Sequence, residues 1–404
     1  MYEKKMKCFS LSPEMNLMIS LAAGKFVSAP AENISWKHFE ELVHKNRIEP
    51  LVAAGIKKMP QEMVQQHSEL QKLLRVKNSF TLFSMRQMQA LAFIMSDFHA
   101  NGIRALSVKG PLLAMTLYGS PELRYSRDLD ILVSENDFLK ACERLEINGF
   151  QEEITAMNKT PKRRRMLARH HEEIHRIYFN GDICIDLHWR ISHRWEESFD
   201  DLWNRRSWKQ LFGQPICCLG ELDNLSYLIC HAAGHVYLRL RWLFDLYILL
   251  NRSDLDYSAL YKEMAEKGVQ EMLFETLLLL YCCPGFDMPP IKNSLFSMRK
   301  EKGWVKTQYR KELDSDYENA VALTKAVWPL LLLDETEEQS LAVRKYRSML
   351  PVRGKKQSHL DFLISFFQPG SVDMKRFDFP DSLYFMYYIV RPFYKLWRMT
   401  PFYH

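Results

Sequence analysis

Glycine and proline are scarce. The 404 residues hold 15 Gly and 17 Pro, about 8% together where soluble domains carry roughly 12%. With so few helix breakers, helix is expected to dominate. An excess of one charge sign is also missing. Lys+Arg 55 against Asp+Glu 49 leaves +6, too mild to demand a nucleic-acid or membrane partner, though it suits an anionic small substrate. Eight cysteines, with Cys217-Cys218 and Cys282-Cys283 adjacent, fit neither a disulfide scaffold nor a CxxC zinc spacing, so reduced, mostly buried thiols are expected. No run reaches the ~18 apolar residues of a membrane span. Leu240–Leu250 carries Arg241 and Asp245, and Val327–Leu333 is short. The opening MYEKKMK and the stretch from Ser28 to Ala31 raise a secretory signal. However, Met15–Gly24 is a short run, and Ser12-Pro13-Glu14 before it reads as a helix start. A cytoplasmic protein beginning with a helix is the expectation.

At ~150 residues per domain the length allows two to three domains. Apolar residues at three-to-four spacing run from Trp36 to about Phe98, with a long helix from Leu73 to His99 stopped by Asn101-Gly102. The pattern then changes. Ile103–Val108 reads as a strand, Pro111–Tyr118 as a helix, Asp128–Val133 as a strand and Asp137–Ile147 as a helix closed by Asn148-Gly149. From Leu222 onward helix returns, interrupted by polar stretches at Glu301–Lys311 and Arg353–Ser358. The expected fold class is α+β: an N-terminal helical region over 1–100, a small mixed-sheet α/β core over 101–200, and a C-terminal helical domain over 201–404.

Glu172–Phe179 and Asp182–Ile191 are joined by Asn180-Gly181, the strongest hairpin signal in the chain. A two-residue turn there predicts that Phe179 pairs with Asp182 and His175 with Asp186. Alternation puts Asp182, Cys184, Asp186 and His188 on one face and Ile183, Ile185 and Leu187 on the other, toward the core.

Asp128 and Asp130 lie two apart on an apolar strand, on one face and ~7 Å apart. Paired hard oxygens on a strand suit Mg²⁺, which takes one or two carboxylates and completes its octahedron with phosphate and water. A solvated strand edge is the plain alternative for an isolated D-x-D. Context argues for the sharper reading. Lys109-Gly110-Pro111 enters a helix straight after a strand, where backbone can approach a phosphate closely. Arg124 and Arg127 bring positive charge beside the acids, and Asp186 offers a third carboxylate.

The run LSVKGPLLAMTLYGSPELRYSRDLDILV, with DLHW on a later strand, resembles the nucleotidyltransferase family of the polymerase-beta superfamily, in its bacterial branch whose motif begins Lys-Gly. The resemblance covers about Phe80 to Ile191, and continues weakly to His231–His235 and Arg241–Asp245. It implies a polymerase-beta-type module in which Gly110 cradles a nucleoside triphosphate, Asp128 and Asp130 bind two Mg²⁺ (or Mn²⁺), and Asp186 completes the site. Lys109 and Arg124 match the branch's own pattern. Gly119-Ser120 lies nearer the acids and competes with Gly110 as the cradle, although Gly119 reads equally well as a helix C-cap. The implied reaction moves a nucleoside monophosphate to an unidentified acceptor hydroxyl on a small molecule, protein or RNA, with release of pyrophosphate and Asp186 receiving the proton. Its cellular setting ranges from an antitoxin-like adenylyltransferase to a natural-product tailoring enzyme. A catalytically idle nucleotide-binding scaffold acting through its helical flanks is the rival reading.

Histidines cluster at His170, His171, His175, His188 and His193. His231 and His235 stand at i,i+4, and were that helix to run on, Asp245 would join them as a zinc triad. No Glu follows His231, and Leu238 and Trp242 share that face, so the expectation is a packing face or acceptor pocket made of His231, His235 and Asp245. His188 is expected to orient Asp186 or touch nucleotide. Lys162–Arg165 reads as a solvated basic face, and the aromatic run from Leu383 to Tyr403 as a helix packed on the body.

Overall fold

The computed structural model describes residues 11–283, except 29, 31–32, 155–158, 170–174 and 193–196, together with 286, 324, 327, 367, 369 and 371–398. His170, His171, His193 and the two polar stretches after residue 300 lie outside the described residues. Helices dominate, as the scarcity of Gly and Pro predicts, and seven strands form a mixed sheet in the order β3-β4-β5-β2-β1-β7-β6. The fold is α+β. None of the described helices is long and apolar enough to cross a membrane.

Two compact units divide the chain. The first gathers the described residues within Met1–Phe93, Ser107–Arg127 and Arg205–Pro351. It opens with α1 (Pro13–Ala22), where Ser12 Oγ accepts the Met15 N–H at 3.2 Å, the expected N-cap. α2 (Trp36–Asn46) buries Phe39, Leu42, Val43 and Asn46 at helical spacing, and α3 (Glu49–Ile56) packs on α1. A Cβ on Gly55 would fall 2.3 Å from the Leu21 carbonyl oxygen, so only glycine allows that approach. After α4 (Gln61–Gln66) comes α5 (Ser68–Ala100), whose last turns belong to the second unit. β1 (Ala105–Ser107) divides likewise, Ala105 and Leu106 belonging to the second unit and Ser107 to the first, and α6 (Pro111–Tyr118) follows in the first. The unit is completed by the hairpin β6 (Ser207–Leu211) and β7 (Gln214–Cys218) and by α10 (Glu221–Gly234), α11 (Leu240–Leu250), α12 (Tyr257–Glu266) and α13 (Gln270–Cys282). Buried Asn46 donates to the Leu42 carbonyl at 2.9 Å and accepts the Leu240 N–H at 3.0 Å, so a side chain from α2 satisfies an orphan donor at the start of α11.

The second unit holds β2 (Leu129–Val133), α7 (Phe138–Ile147), β3 (Gln151–Glu152), α8 (Pro161–Arg169), β4 (His175–Asn180), β5 (Ile183–His188), α9 (Phe199–Asn204), and near the C-terminus α14 (Ser371–Phe377) and α15 (Met386–Arg398). Both glycine stops behave as the sequence predicts. Ile103 N–H bonds Phe98 O and Gly102 N–H bonds His99 O after α5, and Phe150 and Gly149 repeat the pattern on Leu145 and Glu146 after α7, each with its glycine at positive φ.

The hairpin register needs correction. Asn180 pairs with Ile183, Phe179 with Cys184, Ile177 with Asp186 and His175 with His188, so the two loop residues are Gly181-Asp182 and not Asn180-Gly181. Gly181 takes φ 59° at the first central position, the place a type II′ turn reserves for glycine, whereas Asn-Gly as the central pair demands type I′. The slip is two residues, so every side chain keeps its face. Ile183, Ile185 and Leu187 are buried, as expected, and Cys184 is buried with them on the opposite face.

Two further readings change. The β6–β7 hairpin is absent from the expectation and closes through Phe212 and Gly213, both at positive φ (50° and 76°). The basic run of α8 divides: Arg165 is exposed, as a solvated face requires, whereas Lys162 and Arg163 bond within the protein. Lys162 donates to the Asp381 carbonyl, and Arg163, wholly buried, bonds Asp378, the Phe379 carbonyl and Tyr387. Met166 packs there on Met374, Tyr384 and Tyr387, which gives the C-terminal aromatic segment the packed face predicted for it. Its other side exposes Phe385, Ile389, Phe393 and Trp397.

Candidate metal centre

β2 is apolar except at one position. Leu129, Ile131, Leu132 and Val133 are buried, and Asp130 is 3% exposed among them. β5 runs parallel to β2 in the register Asp130↔Asp186 and Leu132↔His188. Parallel neighbours lie ~4.8 Å apart and residues two apart share a face. Register and period together therefore bring Asp130, Asp186 and His188 to one spot, while Ile185 and Leu187 fill the core behind them.

Their ligand atoms all lie within 4.8 Å of one another, the one such group of three His, Cys, Asp or Glu among the described residues. His188 Nε2 stands 3.4 Å from Asp130 Oδ1 and 3.4 Å from Asp186 Oδ2. Burial alone pushes the imidazolium down, but the charge of Asp186 and the bonds to both carboxylates outweigh it and carry His188 up to about 9. At neutral pH the ring thus holds a proton beside the two carboxyl groups. Two hard oxygens and one imidazole nitrogen, held by strands and not loops, form a donor set that fits a divalent cation.

Asp128 lies in the bend ahead of β2, half-buried, and is not a member of the group. The strand begins at Leu129, so the partner of Asp130 is Asp186 across the ladder. His188, expected near nucleotide or beside Asp186, is the third member. The signal that points to it is the period of two from Asp186 on β5.

The remaining candidate residues belong to the first unit. Gly110, at φ 81° and ψ −157°, a backbone conformation essentially confined to glycine, is the N-cap of α6. Gly119 is its left-handed C-cap, with its N–H on the Met115 carbonyl at 3.0 Å. Lys109 Nζ lies 5.4 Å over the Tyr227 ring, and Arg127 is exposed. Arg124 and Asp245 form a buried ion pair at 2.8 Å, and Asp245 also accepts from Tyr118 Oη at 2.9 Å. Burial, reinforced by Asp245, raises the Tyr118 phenol well above its usual range.

α10 ends at Gly234, and Val236 and Tyr237 follow at φ 59° and 49°, so the helix does not run on and Asp245 joins no zinc triad. His231 and His235 have ring centroids 4.6 Å apart and pack on Trp242 at 5.6 and 5.2 Å. Burial, then Lys109, holds His231 well below the usual histidine range, so it stays neutral.

No curated protein and no solved structure matches the chain. Residues 32–283, well over half of its length, match the model of the uncharacterised nucleotidyltransferase family, and the chain belongs to that family.

Proposed function

We propose that this nucleotidyltransferase moves a nucleoside monophosphate from a nucleoside triphosphate to an acceptor hydroxyl with release of pyrophosphate, in the manner of the polymerase-beta superfamily. The observation that carries the reading is the convergence of Asp130, Asp186 and His188 within a chain of this family. These residues would hold a divalent ion, Mg²⁺ or Mn²⁺, and Asp128, just ahead of β2, would supply a carboxylate for a second. When bound, such ions neutralise phosphate charge and ease ionisation of an attacking hydroxyl. The acceptor oxygen forms its bond to the α-phosphorus as the bond to the pyrophosphate oxygen breaks. Asp186, the more exposed of the two paired acids, takes the acceptor's proton. Lys109, Gly110 and Arg127 are assigned to the triphosphate on the strength of their motif and its strand-to-helix setting.

The test is incubation of the protein with each α-labelled triphosphate, a divalent salt and a cell extract. Label carried to an acceptor by the wild type and lost in Asp130→Asn supports the reading. A thermal shift with ATP or GTP and Mg²⁺ that is equal in wild type and Asp130→Ala, with no labelled acceptor, leaves an idle nucleotide-binding scaffold instead.

A further inference from the structure

We propose that Asp130, Asp186 and His188 form a mixed carboxylate and imidazole centre that takes a first-row transition-metal ion of the Mn²⁺ type in preference to Mg²⁺. The inference rests on the metal-dependent reading above and goes beyond it by naming the third ligand and the class of ion. Oxygen-only sites suit Mg²⁺, which dehydrates reluctantly and is met by carboxylates, phosphates and water, whereas an imidazole nitrogen favours transition ions. Here the nitrogen is part of the site itself. His188 Nε2 is equidistant, at 3.4 Å, from one oxygen of each carboxylate. Ligands bonded at ~2.1 Å to a common ion stand roughly 3.0–3.4 Å apart, depending on whether the shell is octahedral or tetrahedral. Two edges of the triangle already have the length of a coordination edge, and all three donor atoms lie within 4.8 Å of one another.

The three side chains also stand on adjacent parallel strands paired residue for residue, backed by fully buried Ile131, Ile185 and Leu187. Little ordering remains to be done on binding. Asp128, lying outside the triangle, leaves it with two carboxylates and one nitrogen.

The experiment titrates Mn²⁺ into the full-length protein, following the free ion by electron paramagnetic resonance, and examines the bound ion by pulsed methods that detect nitrogen bonded to manganese. The expected result is one tightly held Mn²⁺ with a ¹⁴N coupling that becomes ¹⁵N on labelling histidine. The coupling should be absent in His188→Ala and His188→Gln, with affinity weakened ~10-fold or more, and Mg²⁺ should displace the ion only in large excess. Thermal unfolding of both variants confirms that they fold. Bound Mn²⁺ without nitrogen coupling, or ready displacement by equimolar Mg²⁺, overturns the proposal while leaving a metal-dependent transferase intact. Mn²⁺ binding no stronger in wild type than in Asp130→Asn overturns both.

Discussion

Arg163 donates to the phenolic oxygen of Tyr387 at 3.1 Å across 224 positions of sequence. The same guanidinium reaches Asp378 Oδ1 at 2.9 Å and the Phe379 carbonyl at 2.6 Å, and Tyr387 Oη accepts the Phe379 N–H at 2.9 Å. A buried cation on α8 thus gathers the turn between α14 and α15. Truncating it strands several acceptors, and hydrogen bonds to charged groups are worth roughly 1.5–3 kcal/mol each. Arg163→Ala should lower stability by about 2–3 kcal/mol, and Tyr387→Phe by about 1 kcal/mol, since only one hydroxyl goes. Because the two share one network, the double variant should cost less than the sum. Denaturant midpoints of the four proteins check this, and strict additivity would show that the contact does not hold the segment.

The Asp97–Arg144 pair links the end of α5 to α7 and makes stability depend on pH. Arg144 Nε donates to Asp97 Oδ2 at 3.0 Å, and that bond, against the opposing effect of burial, holds the Asp97 carboxyl below its ordinary 3.8. A lowered carboxyl contributes stability that is complete above the unfolded value and is lost as pH falls through the folded one. Asp97→Asn should therefore cost about 1 kcal/mol at pH 7 and progressively less below pH 3.8. Urea melts of both proteins across that range measure the convergence. A constant difference down to the lowest pH would separate the effect from ionisation.

Gly181 tests the turn. Nothing lies within 4 Å of a Cβ built there, so Gly181→Ala meets no clash and its cost is that of positive φ alone, about 1 kcal/mol. Asn180→Ala, at a paired strand position, should cost a few tenths. Equal losses in the two unfolding curves would restore the Asn180-Gly181 turn.

How far the chain could be read in advance follows from what each signal encodes. Face assignment rests on a period of two, which a slip of two residues leaves intact, so the acid and imidazole side of β5 was legible although the pairing partner of Asp186 was not. The ladder between β2 and β5 has no local signature. It joins strands about fifty residues apart, so nothing in Asp128-Leu129-Asp130 reveals that Asp130 meets Asp186 and His188 while Asp128 stays in the bend. The β6–β7 hairpin escaped because Phe212, a bulky residue, occupies a left-handed position and Pro215 interrupts the second strand. The break after α10 escaped because Val236 and Tyr237 adopt a conformation their side chains disfavour. Burial of both side chains, the bonds of their N–H groups to the Ala233 and Ala232 carbonyls, and that of the Tyr237 hydroxyl with Thr276 maintain it.

Asp130 and Asp245 are both buried carboxylates in a matched motif, and they separate the chemistry from the scaffold. Asp245 is committed to Arg124 at 2.8 Å and to Tyr118 at 2.9 Å, so Asp245→Asn leaves a buried guanidinium without its counter-charge. Breaking such a pair costs roughly 3–5 kcal/mol. The variant should melt well below the wild type while keeping transfer activity in whatever fraction stays folded. Asp130 instead faces Asp186 and His188, so two acids crowd one pair of strands. Asp130→Asn relieves that crowding, so its melting point should stay near or above that of the wild type, whereas labelled-nucleotide transfer should fall by about 10³-fold or more, as expected when a charged group acting on the transition state is removed. Thermal melts and α-labelled transfer on the two purified variants check both halves. Loss of activity in proportion to loss of fold for both would show that Asp130, like Asp245, serves only the scaffold.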